Sequence, residues 1–551
     1  MKQDCSVETS AVEIYPTINT SEIIASKILN DGREDHDNGF FICDLGDVMK
    51  KYIRWQKNFP RVIPHYAIKC NPDEILLKML IGLGTGFDCA SKSEIRQMLA
   101  LGARPEQIIF ANPCKQASHV RYARDNNVKR IVFDNVEELI KMKKNFPTAD
   151  LVLRIQTDDS QSICRFSMKY GAHPDVCKQL LDTAHKMNLN VVGISFHVGS
   201  GCQDVQAFVK ALQNARVLFD YAECIGYKLN LLDIGGGFPG TEDVNLKFEE
   251  IASVVNMTLK ELFPMEEFPH VDVIAEPGRY FAASAYTLAS NIIAKREVMR
   301  DVTEETVCEQ TGHTDTIENR SSPTRCDEPA YMYYINDGLY GSFNCLFYDH
   351  AHVTPKLLKE PSEIDMLYSS SVWGPTCDGL DRICELVQLP QLDVGNWILW
   401  EDMGAYTMAA GSSFNGFKTS KVYYVISDLE NNLLQDQIAK KELPGVVFGP
   451  ASVDDTSSSE DEPCGDIDTF YNKQLSSYPS LLTKMQCTKL VVSQLKFRIY
   501  NMILRCYGFS NTFTLVLTFV WVKHSLKARI LRNVISLSKL CTQLSFICKI
   551  W

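Results

Sequence analysis

Between residues 60 and 280, the chain alternates eight short apolar runs with longer amphipathic segments. The runs read PHYAIK, GTGFDCA, QIIFAN, RIVFD, LVLRIQ, VVGISFHV, LNLLDIGGG and VDVIAEPGR. Such alternation is typical of strand–helix units that surround a parallel sheet. Eight units over this length predict an α/β fold with a closed (β/α)8 barrel of the TIM type, and an open doubly wound sheet is the alternative.

Local signals support helices between these runs. Ser91 followed by Glu94 reads as a capping box, and Gly102 follows as a C-terminal stop. Asn135 stands where the N-cap of the next helical segment, VEELIKMKKNF, is expected.

Reactive side chains or glycines close six of the eight runs. They are Lys69, Asp88, Arg154, His197, Gly235–Gly237 and Glu276–Arg279. The C-terminal ends of barrel strands share one face of the molecule, and active sites collect there. We therefore predict that Lys69 points into the mouth of an active site rather than into a core.

The stretch DIGGGFPG, residues 233 to 240, is a glycine-rich turn after a strand. Bare backbone N–H groups in such a turn can hold a phosphate, although a plain tight turn is the simpler reading. The stretch lacks the GxGxxG spacing of dinucleotide sites and the GK[ST] of P-loops. It therefore favours a smaller phosphorylated cofactor.

One cofactor accounts for the whole set of strand-end residues. Pyridoxal 5′-phosphate needs a lysine for its aldehyde, a cup for its phosphate and an acid beside its pyridine nitrogen. Lys69 and Glu276 provide the lysine and the acid, and an ionised Glu276 would keep the nitrogen protonated. His197 would stack on the ring, and Ser200 follows in the same HVGSGC motif. Taken singly, each residue also has an ordinary structural explanation.

Composition restricts the class of protein. The chain has 551 residues, 45% of them hydrophobic, and a formal net charge of −12, which argues against broad nucleic-acid binding. Its 19 cysteines include no CxxC pair, and the N-terminal MKQDCSVETS has no apolar h-region. These features predict a protein of a reducing compartment, and we expect it in the cytoplasm.

Eight motifs resemble those of the eukaryotic ornithine decarboxylases, which are group IV pyridoxal-phosphate decarboxylases with an alanine-racemase-like barrel. The motifs are PHYAIKCN, GTGFDCASKSE, FHVGSGC, LDIGGGFPG, AEPGRY, YGSFNC, WGPTCDGLD and MGAYT, and the resemblance runs from about residue 15 to residue 428. It implies decarboxylation of L-ornithine to putrescine and CO2, the first step of polyamine biosynthesis. It also implies a second, C-terminal β domain of the sandwich or Greek-key type.

The resemblance implies roles for the cofactor residues. Lys69 would carry the cofactor, Asp88 would pair with that lysine, and Glu276 would face the pyridine nitrogen. The remaining cofactor-binding residues would be Arg154, His197, Ser200, Gly235, Gly236, Gly237, Pro277, Gly278, Arg279 and Tyr406.

The resemblance further implies a homodimer with two shared sites. The partner subunit would lend Cys377 as the acid that protonates the substrate Cα. It would also lend the substrate-binding residues Tyr340, Tyr348, Asp349 and Asp378. Two of these, Asp349 and Asp378, would bind the distal ammonium, and Lys169 and Asp381 would form an intersubunit salt bridge.

Two alternatives remain open. The chain could be a non-catalytic antizyme inhibitor, although its predicted catalytic residues Lys69, Asp88, His197, Glu276 and Cys377 are all intact. Alternatively, the substrate could be lysine or arginine, which pocket length decides. The family binds antizyme, and through it the proteasome, by a barrel-side surface. That surface matches residues 115 to 141, with basic residues Lys115, Arg121, Arg124, Lys129, Arg130 and Lys141.

We predict five segments along the chain. They are residues 1–44, which join the β domain; 45–283, the barrel; 284–430, the β domain with a mobile loop at 301–330; 431–475, an acidic, serine-rich disordered tail; and 476–551, an apolar and basic tail. The acidic tail reads as a linker or as a degradation signal. The last segment departs from the family. It is interpreted as read-through of non-coding sequence or as a membrane-docking stretch too short to span a bilayer.

Overall fold

The computed structural model describes residues 12–30, 37–242, 244–299, 329–358 and 365–440. The predictions for 301–328 and for the chain beyond 440 lie outside these residues.

The strands and helices follow in chain order. The strands are β1 (Val12–Tyr15), β2 (Phe40–Asp44), β3 (Val62–Ala67), β4 (Gly86–Cys89), β5 (Ile108–Phe110), β6 (Arg130–Phe133), β7 (Asp150–Arg154), β8 (Ser162–Cys164), β9 (Asn190–Ser195), β10 (Ser200–Cys202), β11 (Leu231–Asp233), β12 (Asp272–Ala275), β13 (Tyr286–Met299), β14 (Pro329–Ile335), β15 (Pro355–Leu357), β16 (Leu367–Trp373), β17 (Arg382–Pro390), β18 (Trp397–Trp400) and β19 (Lys421–Ser427). The helices are α1 (Thr20–Asn30), α2 (Leu45–Asn58), α3 (Glu74–Gly82), α4 (Lys92–Ala100), α5 (Ala117–Asp125), α6 (Val136–Asn145), α7 (Pro174–Lys186), α8 (Gln206–Cys224), α9 (Phe248–Leu262), α10 (Arg279–Ala282), α11 (Cys345–Tyr348) and α12 (Asp428–Lys440).

Eight parallel strands close into a barrel in the order β11-β12-β3-β4-β5-β6-β7-β9. The closure is direct, since Val273 of β12 pairs with Val62 of β3, the first barrel strand. The predicted (β/α)8 barrel is confirmed, and the alternative of an open doubly wound sheet is wrong. All eight apolar runs contribute a barrel strand.

Side chains inside the barrel form their own apolar layer, separate from the larger core under the helices. This layer consists of Ile109, Ala111, Val132, Val152, Leu231 and Ile274, one or two residues from each of five strands. Inward-pointing residues one step further along the strands are polar, so the barrel becomes charged towards its C-terminal mouth.

Two helix starts follow the predicted capping chemistry. The Ser91 hydroxyl accepts the Glu94 N–H at 3.2 Å, and Asn135 accepts the Glu138 N–H at 3.0 Å. The Glu94 carboxylate accepts a hydrogen bond from the N–H of Ala90, one residue before the N-cap, rather than from the N-cap N–H of a standard capping box. Gly102 ends this helical segment with φ = +98°, which a side chain rarely adopts.

The second region is a nine-stranded mixed sheet. Its main path is β1-β19-β2-β13-β14-β16-β17, with β18 and β15 branching from β13. The N-terminal β2 lies parallel to the late strand β19, with Phe41 opposite Val422. Residues from both ends of the described chain therefore complete one sheet.

The predicted disordered tail begins too early. Residues 431 to 440 belong to α12, and Leu434 and Ile438, four residues apart, are both buried. Their spacing places them on one helical face, which packs towards α2. The acidic composition that signals disorder begins only beyond this helix. Of the helices described, none has the length and apolar content needed to cross a membrane.

Candidate active site

Lys69 lies just beyond β3, in a single 3-10 turn over Ile68–Cys70. Its ammonium nitrogen donates a hydrogen bond to Asp88, whose side chain is almost fully buried at the end of β4. Burial alone lowers the pKa of Lys69, but the carboxylates of Asp88 and Glu276 outweigh it and raise that pKa above the usual value. Lys69 is therefore a charged ammonium in the protein as described.

The turn that carries Lys69 is fastened to the nine-stranded sheet region. The Cys70 carbonyl accepts the Tyr406 N–H at 2.9 Å, and the Asn71 amide donates to the Gly404 carbonyl at 3.0 Å. Tyr406 has φ = +56°, an unusual value for a tyrosine, so its placement depends on this surrounding structure. The second region thus helps to position the lysine.

The glycine turn after β11 requires glycine at each of its three positions. Gly235 and Gly237 have φ values of +65° and +104°. A Cβ on Gly235 would lie 2.2 Å from the Phe196 carbonyl oxygen, and one on Gly236 would lie 2.7 Å from the Glu276 carbonyl oxygen. The backbone therefore packs closely around the mouth of the barrel, as a phosphate-binding turn requires.

Arg279 is the cation beside this turn. It donates to the Ser200 hydroxyl at 2.6 Å and makes a bidentate ion pair with Asp349, at 2.7 and 3.0 Å. Its guanidinium carbon lies 5.1 Å from the Tyr406 ring centroid. Asp349 was expected from a partner subunit, but here it contacts Arg279 of its own chain. The short helix α11 brings it there, which motif spacing alone does not reveal.

These residues line a cavity at the mouth of the barrel. Its lining comprises Ala67, Lys69, His197, Ser200, Gly237, Phe238, Glu276, Gly278, Arg279 and Tyr406. An amine, an acid and a cationic phosphate cup converge on it, so the donor set fits pyridoxal 5′-phosphate.

Other predicted cofactor residues surround this cavity. The Pro277 carbonyl accepts the Ala67 N–H at 3.1 Å and so ties the EPGR stretch to β3. Arg154 ends β7, and its guanidinium carbon lies 5.5 Å from the Tyr170 ring centroid. Its charge acts on His197 and Glu276.

His197 is a neutral imidazole. Burial, and then the positive charges of Arg154 and Lys69, hold its pKa well below the usual value. Its Nδ1 accepts the Gly199 N–H at 3.0 Å, so the ring proton lies on Nε2. Phe166 packs edge-on against the ring at 4.9 Å. A neutral ring held from its edge can present a flat face to an aromatic cofactor.

Glu276 and Asp233 form a buried carboxyl pair. Burial, and then mutual repulsion with Asp233 and Asp88, raise the pKa of Glu276 well above the usual value. Burial also raises the pKa of Asp233 to about 7. Sequence reasoning missed Asp233, although it opens the DIGGG motif directly after two buried leucines.

Comparisons with known proteins agree with this geometry. A sequence model described as the pyridoxal binding domain of pyridoxal-dependent decarboxylases matches residues 45–283. Rat ornithine decarboxylase is 52% identical over 406 residues, which cover 74% of this chain and 84% of the rat protein. The chain belongs to the ornithine decarboxylase family.

Two further similarities broaden the family. Antizyme inhibitor 2 of Xenopus laevis is 52% identical over 404 residues, covering 73% of this chain and 84% of that protein. The crystal structure of the Paramecium bursaria Chlorella virus arginine decarboxylase superposes with a TM-score of 0.65 at 33% identity. That match covers 73% of this chain and all of the viral one.

Apart from Asp349, the residues that the family resemblance expects from a partner subunit lie away from the cavity of their own chain. The Tyr340 hydroxyl donates to Asp378, while Cys377 and Tyr348 are exposed. The Phe414 ring stacks on Tyr340 at 4.3 Å, and sequence reasoning missed this contact. The four expected residues Tyr340, Tyr348, Cys377 and Asp378 do not line the cavity of their own chain.

The residues of the predicted intersubunit salt bridge are likewise separate. Asp381 is buried and accepts hydrogen bonds from the Leu339 and Thr376 backbone N–H groups, at 2.7 and 3.0 Å. Lys169 is exposed, and its amino nitrogen lies 5.0 Å from the Tyr170 ring centroid. Their pairing across subunits stays a prediction.

One residue of the proposed antizyme surface is not on the surface. The Lys115 side chain is fully buried, donates to the Val132 carbonyl and pairs with Glu138 at 3.2 Å. The assignment of Lys115 to an exposed basic patch is therefore wrong. Lys141, which donates to Glu138 and to the Lys115 carbonyl, remains partly exposed.

Proposed function

We propose that this chain decarboxylates L-ornithine to putrescine and CO2, with pyridoxal 5′-phosphate held in the cavity at the barrel mouth. The observation that carries the proposal is the convergence of Lys69, Glu276 and Arg279 on one small cavity. These three side chains match the aldehyde, the pyridine nitrogen and the phosphate of a single cofactor. Several curated ornithine decarboxylases, 44 to 52% identical, support ornithine as the substrate.

When bound, pyridoxal phosphate supplies an electron-withdrawing ring that stabilises negative charge at the substrate Cα. Lys69 would hold the aldehyde carbon, and its nitrogen must first lose a proton. The Asp88 carboxylate is in hydrogen-bond contact with that nitrogen and is placed to receive the proton.

The other residues would hold the cofactor at its remaining edges. Arg279, Ser200 and the N–H groups of the glycine turn would bind the phosphate. An ionised Glu276 would keep a proton on the pyridine nitrogen. His197 would cover one face of the ring and help to exclude water.

A second copy of the chain would complete the site. Cys377 and Asp378 are exposed or partly exposed and lie outside the cavity of their own chain. Three large hydrophobic side chains are also exposed, namely Phe347, Tyr348 and Leu380. We propose a homodimer in which each subunit presents Cys377 to its partner's cavity, where the thiol delivers a proton to Cα. Asp378 would bind the distal ammonium.

Asp349, unlike Cys377 and Asp378, would not come from the partner subunit. Since it is paired with Arg279 of the same chain, it would enter the site from the cofactor's own subunit. A phosphate on Arg279 would weaken this ion pair, because two anions would then compete for one guanidinium. The carboxylate would thereby become available to a substrate ammonium.

The test measures CO2 release from carboxyl-labelled L-ornithine by the full chain, with and without added pyridoxal phosphate. We expect cofactor-dependent release that is lost in Lys69→Ala, because that variant keeps the cavity but lacks the amine. L-lysine and L-arginine serve as competing substrates. Absence of release from a folded, cofactor-loaded protein would contradict the proposal, and comparable turnover of lysine would contradict the choice of ornithine.

A second candidate function is that of an antizyme-binding inhibitor. The observation that favours it is the 52% identity to the Xenopus antizyme inhibitor, which equals that to rat ornithine decarboxylase. The intact cofactor residues favour the enzyme. Binding of antizyme, and through it the proteasome, is compatible with both functions. Charge reversal at Arg121 and Lys141 should weaken capture of antizyme without changing CO2 release.

We also propose that the protein works in the cytoplasm. All eleven cysteines within the described ranges are free thiols, and several are buried. Free thiols in such number suit a reducing compartment.

A further inference from the structure

Asp233 is a fully buried carboxyl group at the end of β11, the strand next to the one that leads to Glu276 of the cavity lining. Its Oδ1 accepts the Gly235 N–H at 2.9 Å, which fixes the side chain below the glycine turn. Its Oδ2 has no hydrogen-bond donor among the described residues. An ionised oxygen without a donor in such a place is strongly destabilising, because its desolvation is not compensated.

The missing donor is explained by the neighbouring acid. Asp233 on β11 and Glu276 just beyond β12 lie on adjacent strands, and their carboxyl groups are within hydrogen-bonding reach. Two carboxyl oxygens can approach in this way only if one of them carries a proton. The raised pKa of both acids agrees with one proton held between them.

The charges around the pair keep it from being doubly protonated or doubly ionised. Lys69 and Arg154 are positive and favour one negative charge. Asp88 on β4 is negative and disfavours a second. His197 is neutral and adds no charge.

We propose that Asp233 is a positioning residue that shares one proton with Glu276, and that Asp233 keeps this proton and donates a hydrogen bond to the Glu276 carboxylate when a pyridinium occupies the cavity. Glu276 is then the ionised acid of the pair and faces the ring nitrogen, while Asp233 orients the Glu276 carboxylate from the side away from the ring. This inference rests on the proposed cofactor site. It gives the DIGGG motif two roles: its glycines bind the phosphate, and its Asp233 orients Glu276.

The first experiment measures binding of pyridoxamine 5′-phosphate by changes in its fluorescence. This probe has the ring and the phosphate but no aldehyde, so it reports on the cavity without bonding to Lys69. Asp233→Asn keeps the size and supplies an N–H donor to Glu276, as a protonated acid would. We expect its affinity to stay within about threefold of the parent, since one neutral donor replaces another.

Asp233→Leu serves as the contrasting variant. It keeps the volume but gives Glu276 no donor, and we expect its affinity to fall about tenfold or more. If Asp233→Asn weakens binding as much as Asp233→Leu does, the inference is overturned, because Asp233 would then be needed as an anion. If the parent protein does not bind the probe, the proposed cofactor site itself is wrong.

The second experiment needs no cofactor and measures thermal unfolding midpoints at pH 5 and pH 8. A carboxyl group whose pKa rises from 3.8 to about 7 on folding binds more protons when folded, so its contribution to stability is lost as pH rises across this window. Asp233→Asn lacks this loss. Its unfolding midpoint, relative to that of the parent, should therefore be higher at pH 8 than at pH 5. Asp159→Asn is the matched control, because Asp159 is buried but already accepts from the Phe166 and Ser167 N–H groups. An equal pH response in parent and Asp233→Asn would count against a shared proton.

Discussion

At the scale of single residues, the site depends on side chains whose properties are set by their neighbours. Lys69 is charged because two carboxylates outweigh its burial, whereas His197 is neutral because burial and two cations act in the same direction. Identical residue types in other surroundings would titrate differently. The chemistry therefore follows from the packing around each group rather than from its identity.

Gly235→Ala gives a prediction at this scale. Its φ of +65° and the 2.2 Å approach of a Cβ to the Phe196 carbonyl oxygen mean that the turn must move. We expect pyridoxal phosphate affinity to fall more than about tenfold, with a loss of stability of about 2 kcal/mol or more. Equilibrium dialysis and thermal melts measure the two effects.

Gly102→Ala is the matched control for this substitution. Gly102 also has a positive φ, of +98°, but a Cβ there would meet no atom within 4 Å. Gly102→Ala should lose only about 1 kcal/mol of stability from backbone strain, and its cofactor binding should be unchanged. Equal effects of the two substitutions would mean that close packing around the glycine turn is unimportant.

At the scale of elements, the turn between β3 and α3 is held by a different part of the molecule. The Tyr424 hydroxyl on β19 donates to Asp73 at 2.6 Å, across 351 residues of chain. Asp73 is also the N-cap of α3 and accepts the Ile75 and Leu76 N–H groups. The helix start that follows Lys69 is thus connected to the sheet that both ends of the described chain complete.

Tyr424→Phe tests this tie. Removal of the hydroxyl leaves one Asp73 oxygen without its donor, and we expect a loss of about 1–3 kcal/mol in stability. We also expect weaker cofactor binding, because the same turn carries Lys69. Tyr221→Phe is the control, since its hydroxyl bonds Asp182 at 2.8 Å away from the site and should affect stability less. Unchanged cofactor affinity in Tyr424→Phe would mean that the hydrogen bond from Tyr424 to Asp73 does not help to position Lys69.

At the scale of the whole molecule, one chain contains only part of the proposed machinery. The cofactor residues converge in its barrel, while Cys377 lies outside the cavity. A closed two-fold dimer would supply the missing half to both sites at once. On the proposed arrangement, a single chain would be an incomplete enzyme.

Mixing two inactive variants tests this arrangement. A Lys69→Ala chain and a Cys377→Ala chain each lack one half of the site. Random pairing makes half of the dimers mixed, each with one intact site of two, so activity should recover to about a quarter of the parent value. The measurement is CO2 release after subunit exchange. A mixture as inactive as its components would place Lys69 and Cys377 in the same subunit's site.

Two sequence predictions failed for related physical reasons. The buried Lys115 was read as a surface cation because charge in a sequence does not reveal a neighbouring Glu138 and three carbonyl acceptors. The start of the disordered tail was placed at residue 431, inside α12, because the buried apolar positions of this helix, Leu434 and Ile438, are few among many polar residues. Both errors concern burial that depends on distant partners.

The sequence by itself determined the barrel fold and which residues lie at its C-terminal mouth. Strand and helix periods are local, and the C-terminal ends of parallel strands must share one face, so Lys69, His197 and Glu276 were placed together correctly. Only the tertiary structure decided which charges touch. The pairing of Asp349 with Arg279 spans 70 residues, and that of Tyr424 with Asp73 spans 351. Contacts of this kind, like the proton proposed between Asp233 and Glu276, depend on positions within an ångström, which no local pattern encodes.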